Sequence, residues 1–385
     1  MFQIERGYQR GRVGSTKEKR LPGVSPLVFT KFLLNLTSFI ALDDMAEGLP
    51  SYEEKPIGID MDEETARCYA EIENFFSSRV SMFRSGSRKI MGSVIRLMTQ
   101  YPDAPHIVRR IQDPDTGEVE FEPTGLDKAI RNKEEKLLEI IQEKIALGEK
   151  VLVYYNTVNT TDIGDHLTAY LCSEDIKAFE LKASVKAEKR MDFINKEVKK
   201  GAQVMITNPS LVETGLDLLD FTTIIFFQVG YNLSTMRQAS RRSWRLSQTK
   251  DIEVYFLYYN RTIQEQAIAL MATKLQAAQT LEGNFSEEGL KAMSQNDDVL
   301  TQIANNVVND IKTVVDLDAF KSARQVKQQA NTTRSHNKTI EQIEYALDSR
   351  GQKIILQKFK KKEKQTKNTA YIRNDYTINP LKLFV

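Results

Sequence analysis

The sequence predicts an α/β fold in which a parallel sheet carries helices on both faces, and two patterns within residues 126–282 indicate it. Short, continuously apolar runs such as VLVYY at 151–155 alternate with stretches of helical periodicity. Apolar runs of this length are typical of strands buried on both faces of a parallel sheet. Gly148 and Gly201 each close a helical stretch just before the next apolar run, where helices commonly end.

The elements can be assigned in chain order. A strand is predicted at 55–61, helices over 62–100, and a hairpin that pairs 107–111 with 118–122, between turn signals such as DPDTGE. The sheet region is predicted to contain strands at 151–155, 177–181, 203–207, 223–229 and 252–259, and helices at 128–147, 161–171, 185–200, 238–248 and 262–281. Helices therefore precede the sheet as well as cover it.

The two ends of the chain differ in composition from this middle. Residues 1–26 are basic, and the chain turns polar after Gly283, with helical spacing of apolar residues over 299–314. The segment 350–367 has eight basic residues and one acidic residue, which fits either a solvated tail or a contact with a phosphate backbone. Four segments are predicted: a junction at 1–60, a helical and hairpin insertion at 61–125, the sheet domain at 126–283, and a polar helical extension with a basic tail at 284–385.

Composition excludes several classes of protein. The chain has 385 residues, 41% of them hydrophobic, and a formal net charge of +2, as in an ordinary globular protein. Cys68 and Cys172 lie too far apart in the sequence to form a metal or redox motif, and the three histidines are scattered. Because we find neither a signal-peptide pattern nor an apolar run long enough to span a bilayer, we expect a cytoplasmic protein without membrane contact.

The stretch QASRRSWRLSQ at 238–248 is the strongest candidate for a functional site. On the predicted helix, Arg242 and Arg245 are three residues apart and share a face. Two converging guanidinium groups repel each other unless an anion lies between them, and their planar forks suit phosphate oxygens. The alternative is a basic, solvated face of a surface helix. Since ligands of parallel sheets bind beyond the carboxyl ends of strands, the loop 208–217 and this helix are expected to meet at that edge.

Several stretches together resemble motifs of one family. QASRRSWRLSQ is similar to motif VI of Swi/Snf-type superfamily 2 helicases, with Trp244 and Ser247 in place of the usual histidine and glycine, and TGLDL at 214–218 resembles motif V. KEEKLLEIIQEKIALGEKVLVYYN leads into a motif IV, and AEKRMDFI resembles motif IVa. Residues 45–283 thus resemble the second half of a superfamily 2 helicase or translocase. The sequences NPSLVETGLDL and RQASRRSWR are similar to those of helicase-like proteins of phages and integrative elements.

The resemblance implies a RecA-like domain that binds ATP together with a second such domain. It implies that Arg242 and Arg245 are catalytic arginine fingers that stabilise charge on the transferring phosphoryl group. The other residues matched to family motifs are Gln238, Gly215 and Asp217 for the nucleotide, and Thr214, Arg190 and Lys133 for the nucleic acid, with DNA the expected form. Some have a structural alternative: Asp217 can cap a strand or helix, and the neighbouring Arg241 is interpreted as a surface charge. For Lys133 and Arg190, a role without nucleic acid is an equal alternative.

One half of the expected ATP site has no counterpart in the sequence. No G-x-x-x-x-G-K-[ST] phosphate loop and no D-E-x-[DH] motif after an aliphatic strand occurs in it. We therefore expect ATP and magnesium to be bound mainly by a first RecA-like domain, in another chain or in a longer parent chain, and we expect no hydrolysis by this chain alone. Two alternatives remain: a non-catalytic module that binds nucleic acid or protein, and an unrelated α/β enzyme with an anion site.

Overall fold

The computed structural model describes residues 50–281 apart from 86–87, 114–115, 157–162, 213–215, 229–232 and 246, together with short pieces at 4–5, 19–20, 31–32, 36–38, 342–347 and 353–359. The chain divides into two compact units, one of residues 46–275 and 298–322, the other of residues 1–45, 276–297 and 323–385.

The strands in chain order are β1 (Ile4–Glu5), β2 (Lys19–Arg20), β3 (Tyr52–Ile59), β4 (Ile111–Gln112), β5 (Val119–Phe121), β6 (Lys150–Tyr154), β7 (Ala178–Leu181), β8 (Val204–Thr207), β9 (Phe221–Phe226), β10 (Ile252–Tyr259), β11 (Gln342–Leu347) and β12 (Lys353–Phe359). The α-helices are α1 (Glu63–Ser85), α2 (Arg88–Gln100), α3 (Asn132–Ala146), α4 (Ile163–Ser173), α5 (Arg190–Lys199), α6 (Leu233–Ser240) and α7 (Ile263–Leu281).

Six strands form one sheet in the order β3-β10-β9-β6-β8-β7. Every pair in it is parallel. The prediction of a parallel sheet is therefore confirmed, and β10 has the predicted bounds. Because β3 pairs along its whole length with β10, the sheet includes a strand from before residue 126, where the sheet domain is predicted to begin. The four-segment division of the chain stays a prediction.

The two faces of the sheet are covered by different helices, as predicted. Side chains alternate between faces along each strand, so Leu152 and Tyr154 of β6 enter one apolar core while Val151 and Val153 enter the other. Residues of α5, α6 and α7 close the first core. Residues of α3 and α4 close the second.

A third core lies in the insertion that precedes the sheet helices. It joins α1, α2 and the start of α7, and Phe121 of the β4–β5 hairpin packs against it. The helices begin where predicted, because the Asp62 carboxylate accepts hydrogen bonds from the Thr65 amide and hydroxyl groups (2.9 and 2.6 Å), which is how an N-cap satisfies the free amides of a first turn. α7 belongs both to this core and to the sheet core.

In the second unit, β1 pairs with β2 and β11 pairs with β12, both antiparallel. The described residues of the predicted helical C-terminal extension thus form a strand pair, and β12 lies within the basic segment 350–367. The helical spacing over 299–314 lies outside the described residues. Among the helices that the structure describes, none combines the length and apolarity that crossing a membrane requires.

Candidate functional site

The arginine stretch is not a continuous helix, which corrects the prediction of a helix over 238–248. α6 ends at Ser240, and the chain continues in turns through Arg245. The amides of Arg241 and Arg242 still bond back to the carbonyls of Arg237 and Ala239 (3.2 and 3.3 Å). The groups after them bond to a neighbouring segment: the Arg242 carbonyl accepts from the Leu218 amide (3.4 Å), and the Ser243 hydroxyl donates to the Leu218 carbonyl (2.9 Å). The two arginines are therefore positioned by these contacts, and the three-residue helical spacing does not apply to them.

Motifs V and VI of the sequence are joined by direct hydrogen bonds. Gln248 donates its side-chain amide to the carbonyls of Leu219 and Ser243 (both 3.0 Å). Arg245 Nε lies 3.3 Å from Asp217 Oδ1, and the two side chains are 43% and 65% exposed. The predicted proximity of the loop and the arginine stretch is thus observed, and both side chains are partly exposed.

The meeting point differs from the expected one. Leu218 and Leu219 directly precede β9, whose first residue is Phe221. The contact therefore lies at the segment that leads into a strand, not at the carboxyl edge of the sheet. The loop begins after β8 at the carboxyl edge and ends before β9 at the opposite edge. α6 follows β9 from the carboxyl edge, and the arginine stretch after α6 reaches the same opposite edge, where it contacts the end of the loop.

The two arginines differ in their surroundings. The Tyr154 hydroxyl, which donates to the Ala239 carbonyl (3.3 Å), is in electrostatic reach of Arg242: burial raises the pKa of Tyr154, and the charge of Arg242 acts in the opposite direction. Arg242 thus lies within electrostatic reach of Tyr154, a residue of the sheet core. Arg245 Nε is shielded from solvent and has no hydrogen-bond partner among the residues that the structure describes, although Asp217 Oδ1 lies 3.3 Å away. The Arg245 side chain as a whole is partly exposed, and guanidinium groups suit phosphate oxygens.

The structure places the other predicted site residues separately. Gln238 is exposed on α6, one turn before Arg242, while Thr214 and Gly215 lie outside the described residues. The Arg190 guanidinium donates to the carbonyls of Val185 (3.2 Å) and Leu211 (2.8 Å). Arg190 therefore ties the segment after β7 to the segment after β8, whatever else it contacts.

The structure corrects the prediction that Lys133 contacts nucleic acid. Its side chain is 1% exposed and forms an ion pair with Asp103, which is 3% exposed, at 2.8 Å. The ammonium group also donates to Gln264 Oε1 (3.1 Å) and lies over the rings of Phe227 and Tyr259 (5.1 and 5.2 Å). All these contacts lie inside the fold, because α3 directs Lys133 towards the sheet. The ammonium group is therefore shielded from a phosphate group outside the protein.

This ion pair begins a chain of hydrogen bonds along the carboxyl edge of the sheet. Gln228 donates to Asp103 Oδ2 (3.0 Å), and Asn156 donates its amide and side chain to Gln228 (both 3.0 Å). Asn208, the first residue after β8, donates to the carbonyls of Tyr155 and Asn156 (3.1 and 3.3 Å). The segments after β9, β6 and β8 are thus held together at their bases, and sequence spacing carries no signal for contacts between residues so far apart.

Among the residues that the structure describes, no group of three or more histidine, cysteine, aspartate or glutamate side chains is arranged to hold a metal ion. The charged groups at the candidate site are mainly guanidinium groups, with one carboxylate, Asp217. This set suits an anion rather than a cation.

Comparisons with known proteins find similarity over the stretch of chain that contains the candidate site. Residues 132–247, which include both arginines, match the family model for the helicase conserved C-terminal domain. Residues 132–247 are therefore similar to the helicase C-terminal domains of the Swi/Snf branch of superfamily 2. The chromatin-remodeling ATPase INO80 of Mycosarcoma maydis is 28% identical over 158 residues, 40% of this chain and 8% of that protein. The DNA excision repair protein CSB of Oryza sativa subsp. japonica is 27% identical over 194 residues, 49% of this chain and 15% of that protein.

The helicase C-terminal domain is a small share of these relatives, since the chain spans less than a sixth of the length of either. Among solved structures, the C-terminal part of the Fun30 ATPase domain is similar with a TM-score of 0.49 and 16% identity, covering 68% of this chain and 98% of that one.

Proposed function

We propose that this chain is the C-terminal half of an ATP-dependent nucleic-acid translocase or helicase, in which Arg242 and Arg245 are the arginine fingers. The observation that carries the proposal is the direct bonding of the two motifs: Leu218 and Leu219 hold the segment 242–248, and this places Arg245 beside Asp217. A guanidinium group held beside the motif V loop suits the charge that develops on a transferring phosphoryl group.

In this function, ATP and magnesium are bound mainly by a first RecA-like domain that supplies the phosphate loop and the acidic metal ligands. That domain is part of a longer parent chain or of a separate chain. Arg242 and Arg245 would hold the γ-phosphate, Gln238 would contact the nucleotide, and Asp217 would hold Arg245 in place before the nucleotide binds. Gly215, two residues before Asp217 in the sequence, would allow the backbone to come close to the ligand.

Nucleic acid is proposed to contact the segments that follow β7 and β8, with DNA the expected form. Arg190 joins these two segments, and the side chains of Lys186 and Lys189 beside it are exposed. Exposed basic side chains neutralise backbone phosphates without reading sequence, so this binding is expected to weaken steeply with salt. Thr214 is proposed to contact the backbone from the motif V loop.

The finger role is tested by substituting Arg242→Ala and Arg245→Ala in the ATPase assembled from this chain and its first domain. Each substitution should lower nucleic-acid-stimulated ATP turnover by about 10³-fold or more, with affinity for double-stranded DNA unchanged. Arg110→Ala is the matched control, because Arg110 is an exposed arginine (57%) paired with Glu122 in the insertion. Its turnover should equal that of the wild type.

Two results would count against the proposal. Equal loss of DNA binding and turnover in the Arg242 variant would assign that arginine to the nucleic acid. Tight, salt-sensitive DNA binding that is indifferent to ATP, with no turnover in any assembly, would favour the non-catalytic binding module.

A further inference from the structure

The only tryptophan of the chain lies between the two proposed finger arginines. Trp244 is partly buried against the sheet core, and its indole Nε1 donates to the Pro50 carbonyl (3.0 Å). Its ring centroid lies 5.2 Å from that of Tyr52, with the planes at 40°. Both contacts fasten the arginine segment to the residues that lead into β3, the edge strand of the sheet.

A second set of contacts fastens the start of the same segment. The Tyr52 hydroxyl lies 2.8 Å from the hydroxyl of Ser240, the last residue of α6, and 2.8 Å from Glu54 Oε1. The Arg241 guanidinium lies 5.9 Å from the Tyr52 ring. Burial raises the pKa of Glu54, and the charges of Arg241 and Arg237 act against that rise. Tyr52, itself 8% exposed, is thus the centre of a small buried cluster.

These contacts matter because the backbone from Arg241 to Arg245 is not helical. A helix would fix the directions of Arg242 and Arg245 through its own hydrogen bonds. Here their directions depend on bonds to Leu218 on one side and on the contacts with Pro50 and Tyr52 on the other. A shift of the segment before β3 must therefore shift the arginines as well.

We propose that Trp244 and Tyr52 are positioning residues that couple the orientation of Arg242 and Arg245 to the segment Pro50–Tyr52. The proposal rests on the proposed function for its catalytic consequence, but the coupling itself is a property of this chain. Coupling of this kind is reciprocal: disturbing either end changes the other. The position of the segment Pro50–Tyr52 would thus determine how well the arginines reach a bound phosphate.

The coupling is tested in the full chain by amide hydrogen exchange. Tyr52→Phe keeps the ring and removes the hydroxyl, and Trp244→Phe keeps an aromatic ring and removes the indole N–H. Tyr52→Phe should speed exchange in the segment Ser240–Arg245, and Trp244→Phe should speed it in the segment Ser51–Glu54, each by about fivefold, as for one lost hydrogen bond. The control is Tyr258→Phe, a buried tyrosine in the same core at the other end of the sheet, which should change neither segment.

The outcomes separate this proposal from the proposed function. Exchange that changes only in the segment carrying the substitution would overturn the coupling, whatever the ATP turnover. In the assembled ATPase, Trp244→Phe should lower kcat by about tenfold with KM unchanged, because the arginines act on the transition state. If Arg242→Ala abolishes turnover while Trp244→Phe leaves both kcat and exchange unchanged, the finger role stands and the coupling fails. If Arg242→Ala has no effect while exchange shows reciprocity, the coupling stands and the finger role fails.

Discussion

Removing the ammonium group of Lys133 is expected to be one of the most damaging single changes in the sheet domain. The Lys133→Met substitution keeps most of the side-chain stem but leaves the Asp103 carboxylate without its cationic partner at 2.8 Å. Gln228 is then the remaining donor to that carboxylate among the contacts described above. Gln264 Oε1 also loses the donor at 3.1 Å but keeps the amide of Tyr259.

The size of the effect follows from burial. Breaking a buried ion pair by removing one partner costs about 3–5 kcal/mol, because the other charge stays buried without compensation. Loss of the ammonium over the rings of Phe227 and Tyr259 adds to this cost. Replacing both partners, Lys133→Met with Asp103→Leu, should cost less than Lys133→Met alone, since no charge is then left buried. Whole domains are stable by about 5–15 kcal/mol, so the single variant approaches unfolding.

The measurement is urea-induced unfolding of the full chain, followed by circular dichroism. Lys136→Met is the matched control on the same helix, because Lys136 is 32% exposed and pairs with Glu139 three residues on, which is 66% exposed. Such a surface pair contributes about 0–1 kcal/mol. Equal unfolding free energies for Lys133→Met and Lys136→Met would refute the stabilising role of the buried Lys133–Asp103 ion pair. A double variant, Lys133→Met with Asp103→Leu, that is no more stable than Lys133→Met would refute it as well.

Three further predictions concern single side chains. Burial alone would raise the pKa of Glu253, but hydrogen bonds from Lys144, Lys55 and Tyr255 lower it to about 2. The ionised carboxylate therefore stabilises the fold when the pH is above the pKa of Glu253 in the unfolded chain, and this stabilisation is lost as the pH falls towards 2. Glu253→Gln should lower the unfolding free energy by about 1.5–3 kcal/mol at neutral pH, and a deficit that does not shrink on acidification would contradict this. Gly164→Ala should destabilise the fold by about 1–3 kcal/mol in thermal denaturation, because a Cβ at this position would lie 2.2 Å from Glu180 Oε1. Gly92→Ala, in a helix with open space around the glycine, should stabilise the fold by up to about 1 kcal/mol. If Gly164→Ala were the more stable of the two variants, the close packing at Gly164 would be disproved. Arg190→Lys should cost about 1–2 kcal/mol in the same assay, because one ammonium group cannot bridge the carbonyls of Val185 and Leu211 as the guanidinium does, and an unchanged melting temperature would show that this bridge is unimportant.

The sheet was predictable from the sequence because its signals are local. Each strand of the sheet domain is a short apolar run, and β10 has the bounds that its run predicts. The glycines at 148 and 201 both have positive φ (76° and 91°), as the ends of helices require. What the pattern could not supply was the partner of β3, which pairs with β10 about 200 residues later in the sequence.

The candidate site was predictable in its residues but less so in its geometry. Family motifs identified the loop and the arginine stretch, and the structure joins them. The helical spacing of Arg242 and Arg245 was wrong, since Leu218 and Pro50 interrupt the helix with contacts that local periodicity does not contain. The burial of Lys133 was missed for the same reason, because its partner Asp103 lies 30 residues away in the insertion.

The arginine-finger function is tested most directly by ATP turnover of this chain alone and after assembly with a first RecA-like domain, with and without double-stranded DNA. We expect no turnover by the chain alone and DNA-stimulated turnover by the assembly, abolished by Arg242→Ala. Turnover by the isolated chain, or an assembly whose turnover is the same with and without Arg242, would contradict it.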